Sequence, residues 1–227
     1  MEIEQVIEFW FGTDINDPNL AKRQSPIWWQ KNDQNDALIR QKFADGLQGL
    51  VKGDYDHWLE SPMGRLAAII VADQFSRNMY RDTARAFTQD DLALGWCLDG
   101  IGLHQDIELP YICRVFFYMP LEHAESLAMQ NLSVEKFSEL AALAGPKSGD
   151  TFLGFEDFAE WVLNEDAKKD DEDHGRTPFD HCGELWFTEK VNSVSLNEGV
   201  TVEASLEDAQ SRFNLNLLGG RPKKYDP

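Results

Sequence analysis

Apolar positions recur every three to four residues along most of the chain, the spacing of helices that bury one face. Ile3, Val6, Ile7 and Trp10 mark a helix over Glu2 to Phe11, with acids in its first turn and Gly12 at its end. Thr13 to Pro26 reads as a polar connection, and Ile27-Trp28-Trp29 leads out of it. Asp33 to Lys52 is the next helix, with Leu38, Ile39, Phe43, Leu47 and Leu50 on one face and Gly53-Asp54 as its break. A short helical piece carries Tyr55, Trp58 and Leu59. Ser61 stands ready to cap the following helix, and Pro62 to occupy its first turn. That helix, running to about Tyr80, joins an apolar run, Leu66 to Ala72, to a crowd of polar groups.

The pattern continues through a helix from Gln89 to Gly102, which Thr88-x-x-Asp91 is spaced to cap. Pro110 opens an aromatic run, Tyr111 to Met119, and Pro120 is expected to start a helix over Leu121 to Gln130. Ser133 is expected to cap another, reaching Ala144 and stopped by Gly145-Pro146. Phe152 to Lys168 is amphipathic again, and an acidic run follows from Asp166 to Asp173. Val191, Val194, Val200 and Val202 flank Asn197-Glu-Gly199 within 185–204, which predicts a β-hairpin. Ser205 to Leu218 returns to helix, and residues 219–227 form a tail. The expected fold is all-α, a single helical domain over 1–227 of stacked antiparallel helix pairs with a small C-terminal hairpin.

Charge narrows the partners. Lys and Arg number 21 against 40 Asp and Glu, a net charge of −19, so phosphate backbones and anionic membrane surfaces are repelled. No apolar stretch approaches the roughly 18–20 residues of a membrane span. Met1-Glu2-Ile3-Glu4-Gln5 lacks the basic start of a secretory signal. Cys97, Cys113 and Cys182 have neither the even number of a disulfide framework nor C-x-x-C spacing, so a cytoplasmic protein with free thiols is expected.

Candidate chemistry gathers in two places. On a helix, Asp73, Arg77 and Arg81 form one stripe, with Gln74 and Asn78 beside it. Following a buried-looking run, these groups suit either a satisfied internal network or a ligand site. Arg77, Arg81 and Arg85 favour a small anion or a peptide carboxylate if the site is open. They equally suit internal neutralisation of Asp73, Glu122 and Glu125. The second place is Tyr118-Met-Pro-Leu-Glu122-His123-Ala-Glu125, where His123 among carboxylates suits acid–base work or a metal, and the acids alone suit a helix N-terminus. Glu-His-x-Glu has the wrong order for the di-metal helix motif, and H-E-x-x-H is absent, so no metal ligand is assigned and no cofactor named. His174, His181 and Cys182 lack a fourth ligand.

Asp73-Gln-Phe-Ser-Arg-Asn78, Arg81, Thr83-Ala-Arg-Ala-Phe87 and Phe117-Tyr-Met-Pro-Leu-Glu-His-Ala-Glu125 together carry a resemblance. With Val6-Ile-Glu-Phe-Trp-Phe-Gly12 and Trp58…Pro62-x-Gly64-Arg65-Leu66-Ala67, the chain resembles the domain of unknown function 924 family over roughly 1–160. The resemblance implies an all-helical, tetratricopeptide-like fold and leaves the biochemical function open. Relatives usually carry a Phe-Gly-Arg-Phe-Pro-His-Arg-Asn segment near the end. Here His174-Gly-Arg-Thr-Pro178-Phe-Asp-His181 matches it only at Gly175, Arg176 and Pro178, which marks 164–204 as divergent. Two readings of function follow: a helical binding protein for a small anion or peptide carboxylate, and a hydrolase-like enzyme using His123 with Glu122 or Glu125.

Overall fold

Eight α-helices account for most of the architecture that a computed structural model describes, over residues 1–17, 19–144, 194–196 and 200–202. They are α1 (Ile3–Phe11), α2 (Leu20–Trp29), α3 (Asp33–Lys52), α4 (Pro62–Ile70), α5 (Ser76–Met79), α6 (Asp90–Gly102), α7 (Tyr111–His123) and α8 (Leu127–Ala144). Two short strands, β1 (Val194–Leu196) and β2 (Val200–Val202), pair antiparallel with Leu196 opposite Val200. They fall inside the expected hairpin. The helices expected over 152–168 and 205–218, the Gly145-Pro146 stop and the acidic run lie outside the described residues.

Local signals set several helix ends. The Glu2 and Gln5 side chains form a capping box on α1, and Gly12 ends the helix at φ 83°. Asn32 Oδ1 accepts from the Gln34 and Asn35 N–H groups to open α3, and Gly53 closes it at φ 85°. Ser61 Oγ accepts from Gly64 N–H at 3.2 Å, with Pro62 in the first turn of α4.

The core forms where α1, α2, α4, α6 and α7 meet. Leu66 to Ala72 is wholly buried, which explains its unbroken apolar run. Trp10, Trp28 and Phe116 interlock edge-on or tilted, with Trp28 and Phe116 centroids 4.8 Å apart. The Trp10 carbonyl, near the end of α1, accepts from Trp28 Nε1 at 2.8 Å and Gln24 Nε2 at 3.0 Å. Those two donors sit one turn apart, so α2 must be helical for both to arrive.

Five expectations need correction. Residues 20–26 are helix, not connection: Leu20, Gln24 and Trp28 recur every four residues and are buried, and that burial outweighs Pro26 inside α2, a cost of about 3 kcal/mol. Pro120 does not start a helix but sits in the last turn of α7, where every residue from Cys113 to Glu122 is buried. Ser133 caps nothing; it is buried within the unbroken α8. Thr88 makes no cap either, because the turn Ala84–Phe87 runs into it and Gln89 takes the position before α6. Leu38, placed on the apolar face of α3, is half-exposed.

Two glycines of α6 separate packing from propensity. A Cβ on Gly100 would lie 2.5 Å from both Phe117 Cζ and Arg65 Cδ, whereas one on Gly95 meets nothing within 4 Å. Gly100→Ala should therefore lower stability by about 1–3 kcal/mol through overpacking. Gly95→Ala should raise it by about 0.5–1 kcal/mol through helix propensity. Urea unfolding midpoints of the two variants should move in opposite directions.

Candidate functional site

The chain does not pass from α4 to α5 as regular α-helix. Val71–Phe75 forms a π-turn, one wider coil that carries Asp73 and Gln74 into the interior. Asp73 is fully buried. Its Oδ2 accepts from Gln74 Nε2 at 2.6 Å, and its Oδ1 faces Arg77 Nη2 at 3.3 Å and His123 Nδ1 at 2.7 Å. Burial pushes this carboxyl up, but His123 and Arg77 outweigh it and hold the group down at about 2. Arg77 Nη2 also reaches Asp90 Oδ2 at 2.9 Å, and its guanidinium lies 5.0 Å from the Phe87 ring centre.

His123 is the last residue of α7, and its side chain remains 23% exposed. With Nδ1–H donated to an ionised Asp73, the neutral ring leaves Nε2 bare, the form that accepts a proton. The contact of the ring with Asp73 thus runs through one nitrogen and spares the other.

A second buried carboxylate lies on the other side of α5. Asp36 accepts from Asn78 Nδ2 at 2.8 Å and from Arg81 through Nε at 2.7 Å and Nη2 at 3.0 Å. This bidentate pair ties the first turn of α3 to the residue just past α5. Arg40 donates through Nε and Nη2 to the Met79 carbonyl, and Lys31 reaches Asp82 at 3.1 Å. Asp36, Arg40, Asn78, Arg81, Lys31 and Asp82 border an open cavity of about 300 Å³.

The family of bacterial proteins of unknown function DUF924 has a model that matches residues 6–171. The chain belongs to the DUF924 family. A solved structure of a protein of unknown function from Agrobacterium tumefaciens is similar to it at 24% identity and a TM-score of 0.55, over 75% of this chain and 97% of that one. That likeness shows the shared fold. No curated protein matches the chain.

The two expected motifs of this DUF924 chain meet at one point, Asp73, Gln74 and Arg77 from one and His123 from the other. The remaining candidates go elsewhere. Asn78 and Arg81 face Asp36 and the open cavity. Arg85 is exposed and stacks on Tyr80 at 3.9 Å. Tyr118 donates to Asp106 Oδ2 at 2.7 Å, and burial with that bond pushes its hydroxyl well above the ordinary range. Glu122 is buried in the last turn of α7, and Glu125 is exposed beyond its end. Because Pro120 lies inside α7, these acids stand at a helix C-terminus, where the dipole favours cations and not carboxylates. Among the described residues no group of three or more His, Cys, Asp and Glu side chains could hold a metal ion. None of the described helices is long and apolar enough to cross a membrane.

Sequence reasoning passed over Asp36 and Asp90. Asp36 had a signal: it precedes Ile39 and Phe43 by three and seven residues, which puts an acid on the apolar stripe of α3. Asp90 had none that separates it from Asp91, since both read as acids in a first helical turn.

Acid titration should register the buried carboxylate. Asp73 is held below the ordinary 3.8, so the unfolded chain binds its proton more tightly than the folded protein does. Its stabilisation is complete above 3.8 and disappears as pH falls towards about 2. Urea midpoints of wild type and Asp73→Asn, followed down that interval, should converge at the acid end. Parallel curves would contradict the assignment.

Proposed function

We propose that this DUF924 protein is an acid–base enzyme, hydrolase-like in chemistry, with His123 as its base and Asp73 as the group that orients and charges it. The observation that carries the reading is the 2.7 Å contact between His123 Nδ1 and the ionised, buried Asp73. A carboxylate there sets the imidazole tautomer and stabilises the imidazolium formed when Nε2 takes a proton. Arg77 and Gln74 hold the carboxylate in place, so the ring is supported at Nδ1 while its side chain remains partly exposed. Under the same reading the protein works in the reducing cytoplasm, in keeping with the buried thiols of Cys97 and Cys113. Contacts between successive helices, α1 with α2, α6 with α7 and α7 with α8, support a tetratricopeptide-like stacking.

A panel of chromogenic esters, amides and phosphoesters should give turnover that His123→Gln lowers about 10²- to 10⁴-fold. Turnover unchanged in His123→Gln would remove the reading.

A binding role for a small anion or peptide carboxylate draws on a different observation. The open cavity of about 300 Å³ is bordered by three cations, Lys31, Arg40 and Arg81, and by the Asn78 amide. Each of those cations already meets an acceptor, so an anion must compete with Asp36, Asp82 or the Met79 carbonyl. Acetate and phosphate should raise the unfolding temperature of wild type and not of Arg81→Gln if this cavity binds them. An equal response from both proteins would exclude it.

A further inference from the structure

The contacts behind His123 hold one more carboxylate than the buried guanidinium needs. Asp73 alone balances Arg77, yet Asp90 meets the same guanidinium nitrogen. Arg77 Nη2 lies 3.3 Å from Asp73 Oδ1 and donates to Asp90 Oδ2 at 2.9 Å. Asp73 Oδ1 is in turn the oxygen that meets His123 Nδ1 at 2.7 Å. Each shared atom has a nearer and a farther partner: the guanidinium is drawn towards Asp90, and the Asp73 oxygen towards the ring.

Two ordinary explanations of Asp90 fall short. It stands at the first position of α6, where an acid suits the helix dipole, but Asp91 supplies that charge from an exposed place beside it. Nor is it placed for its own hydrogen bonds, because Oδ1 is buried and has no hydrogen-bond partner among the described residues. The contact with Arg77 is what accounts for its position. With both carboxylates ionised, Asp73, Asp90 and Arg77 together carry one negative charge in excess. A proton on His123 cancels it. The set is balanced in the state reached once the ring has taken its proton, and a site arranged in advance for developing charge favours that step.

We propose that Asp90 is a positioning residue for His123: it keeps the Arg77 guanidinium from closing on Asp73 Oδ1 and so leaves the charge of that oxygen to the protonated ring. The proposal rests on the reading of His123 as base. Asp90 itself touches no substrate and transfers no proton; it acts through Arg77 and Asp73. Asp90→Asn keeps the shape of the side chain and an oxygen able to accept from Arg77, and removes the charge. Arg77 is then left with Asp73 as its carboxylate in this set and closes on it. The oxygen that stabilises a protonated ring is thereby partly neutralised.

Imidazole ¹⁵N NMR of the full chain, followed through a pH titration, tests this without a substrate. His123 should hold its proton about ten-fold less tightly in Asp90→Asn than in wild type. Asp91→Asn removes the same charge from the same helical turn and should leave the ring titration where it is. Glu122 and Glu125, the acids next to the ring in sequence, are unchanged in all three proteins. An equal titration in wild type and Asp90→Asn, or an equal shift in the two variants, would overturn the proposal. Carboxyl ¹³C NMR of wild type should show Asp90 ionised at neutral pH, and a protonated carboxyl there would overturn it too. With p-nitrophenyl acetate, the acid limb of kcat/KM should move together with the ring titration. A limb that stays in place while the ring titration moves would overturn the reading of His123 as base.

Discussion

An ionised carboxylate in the interior is the constraint on which the rest of this structure depends. Asp73 has no access to water, and a bare carboxylate in such a place would cost several kcal/mol. Three side chains offset that cost: Gln74 next to it in sequence, Arg77 one helical turn on, and His123 fifty residues away. The first two come with the local helix. The third requires the end of α7 to arrive beside the π-turn, so the whole packing of α1, α2, α4 and α7 serves the placement of one ring.

The aromatic core supplies the rigidity for this. Phe116 lies seven residues before His123 on α7 and is held by Trp10, Phe11, Trp28 and Trp29. Two turns of helix then carry the position of that cluster directly to His123. On the far side of α5 a second buried carboxylate, Asp36, performs the same task for Asn78 and Arg81. The short helix is therefore pinned from both sides by buried ion pairs, each strongly destabilising to break one-sidedly. Two of the expected anion-binding arginines, Arg77 and Arg81, are in this sense part of the frame, each already engaged by a carboxylate.

Much of this was legible from residue order. Helical spacing located α1, α3, α4, α6 and the approach to α7, and the caps at Glu2, Asn32, Gly53 and Ser61 are local features that need no tertiary partner. Local rules failed where burial overrode them. Pro26 and Pro120 read as boundaries, yet each lies inside a helix whose buried face contributes more than the missing hydrogen bond removes. Ser133 read as a cap and lies buried within α8 for the same reason.

The same division runs through the site. The sequence by itself marked Asp73, Gln74, Arg77, Asn78, Arg81 and Arg85, because polar density after an apolar run demands partners, and set Tyr118, Glu122, His123 and Glu125 beside them as a second group of candidates. It also determined the all-α class and the net charge that disfavours anionic partners. Only the tertiary structure decided who those partners are. His123 meets Asp73, across the chain, and not Glu122 or Glu125 beside it; Arg77 meets Asp90, and Arg81 meets Asp36. Sequence spacing fixes which side chains share a helix face, but contacts between helices depend on how packed faces cross, which no local pattern encodes.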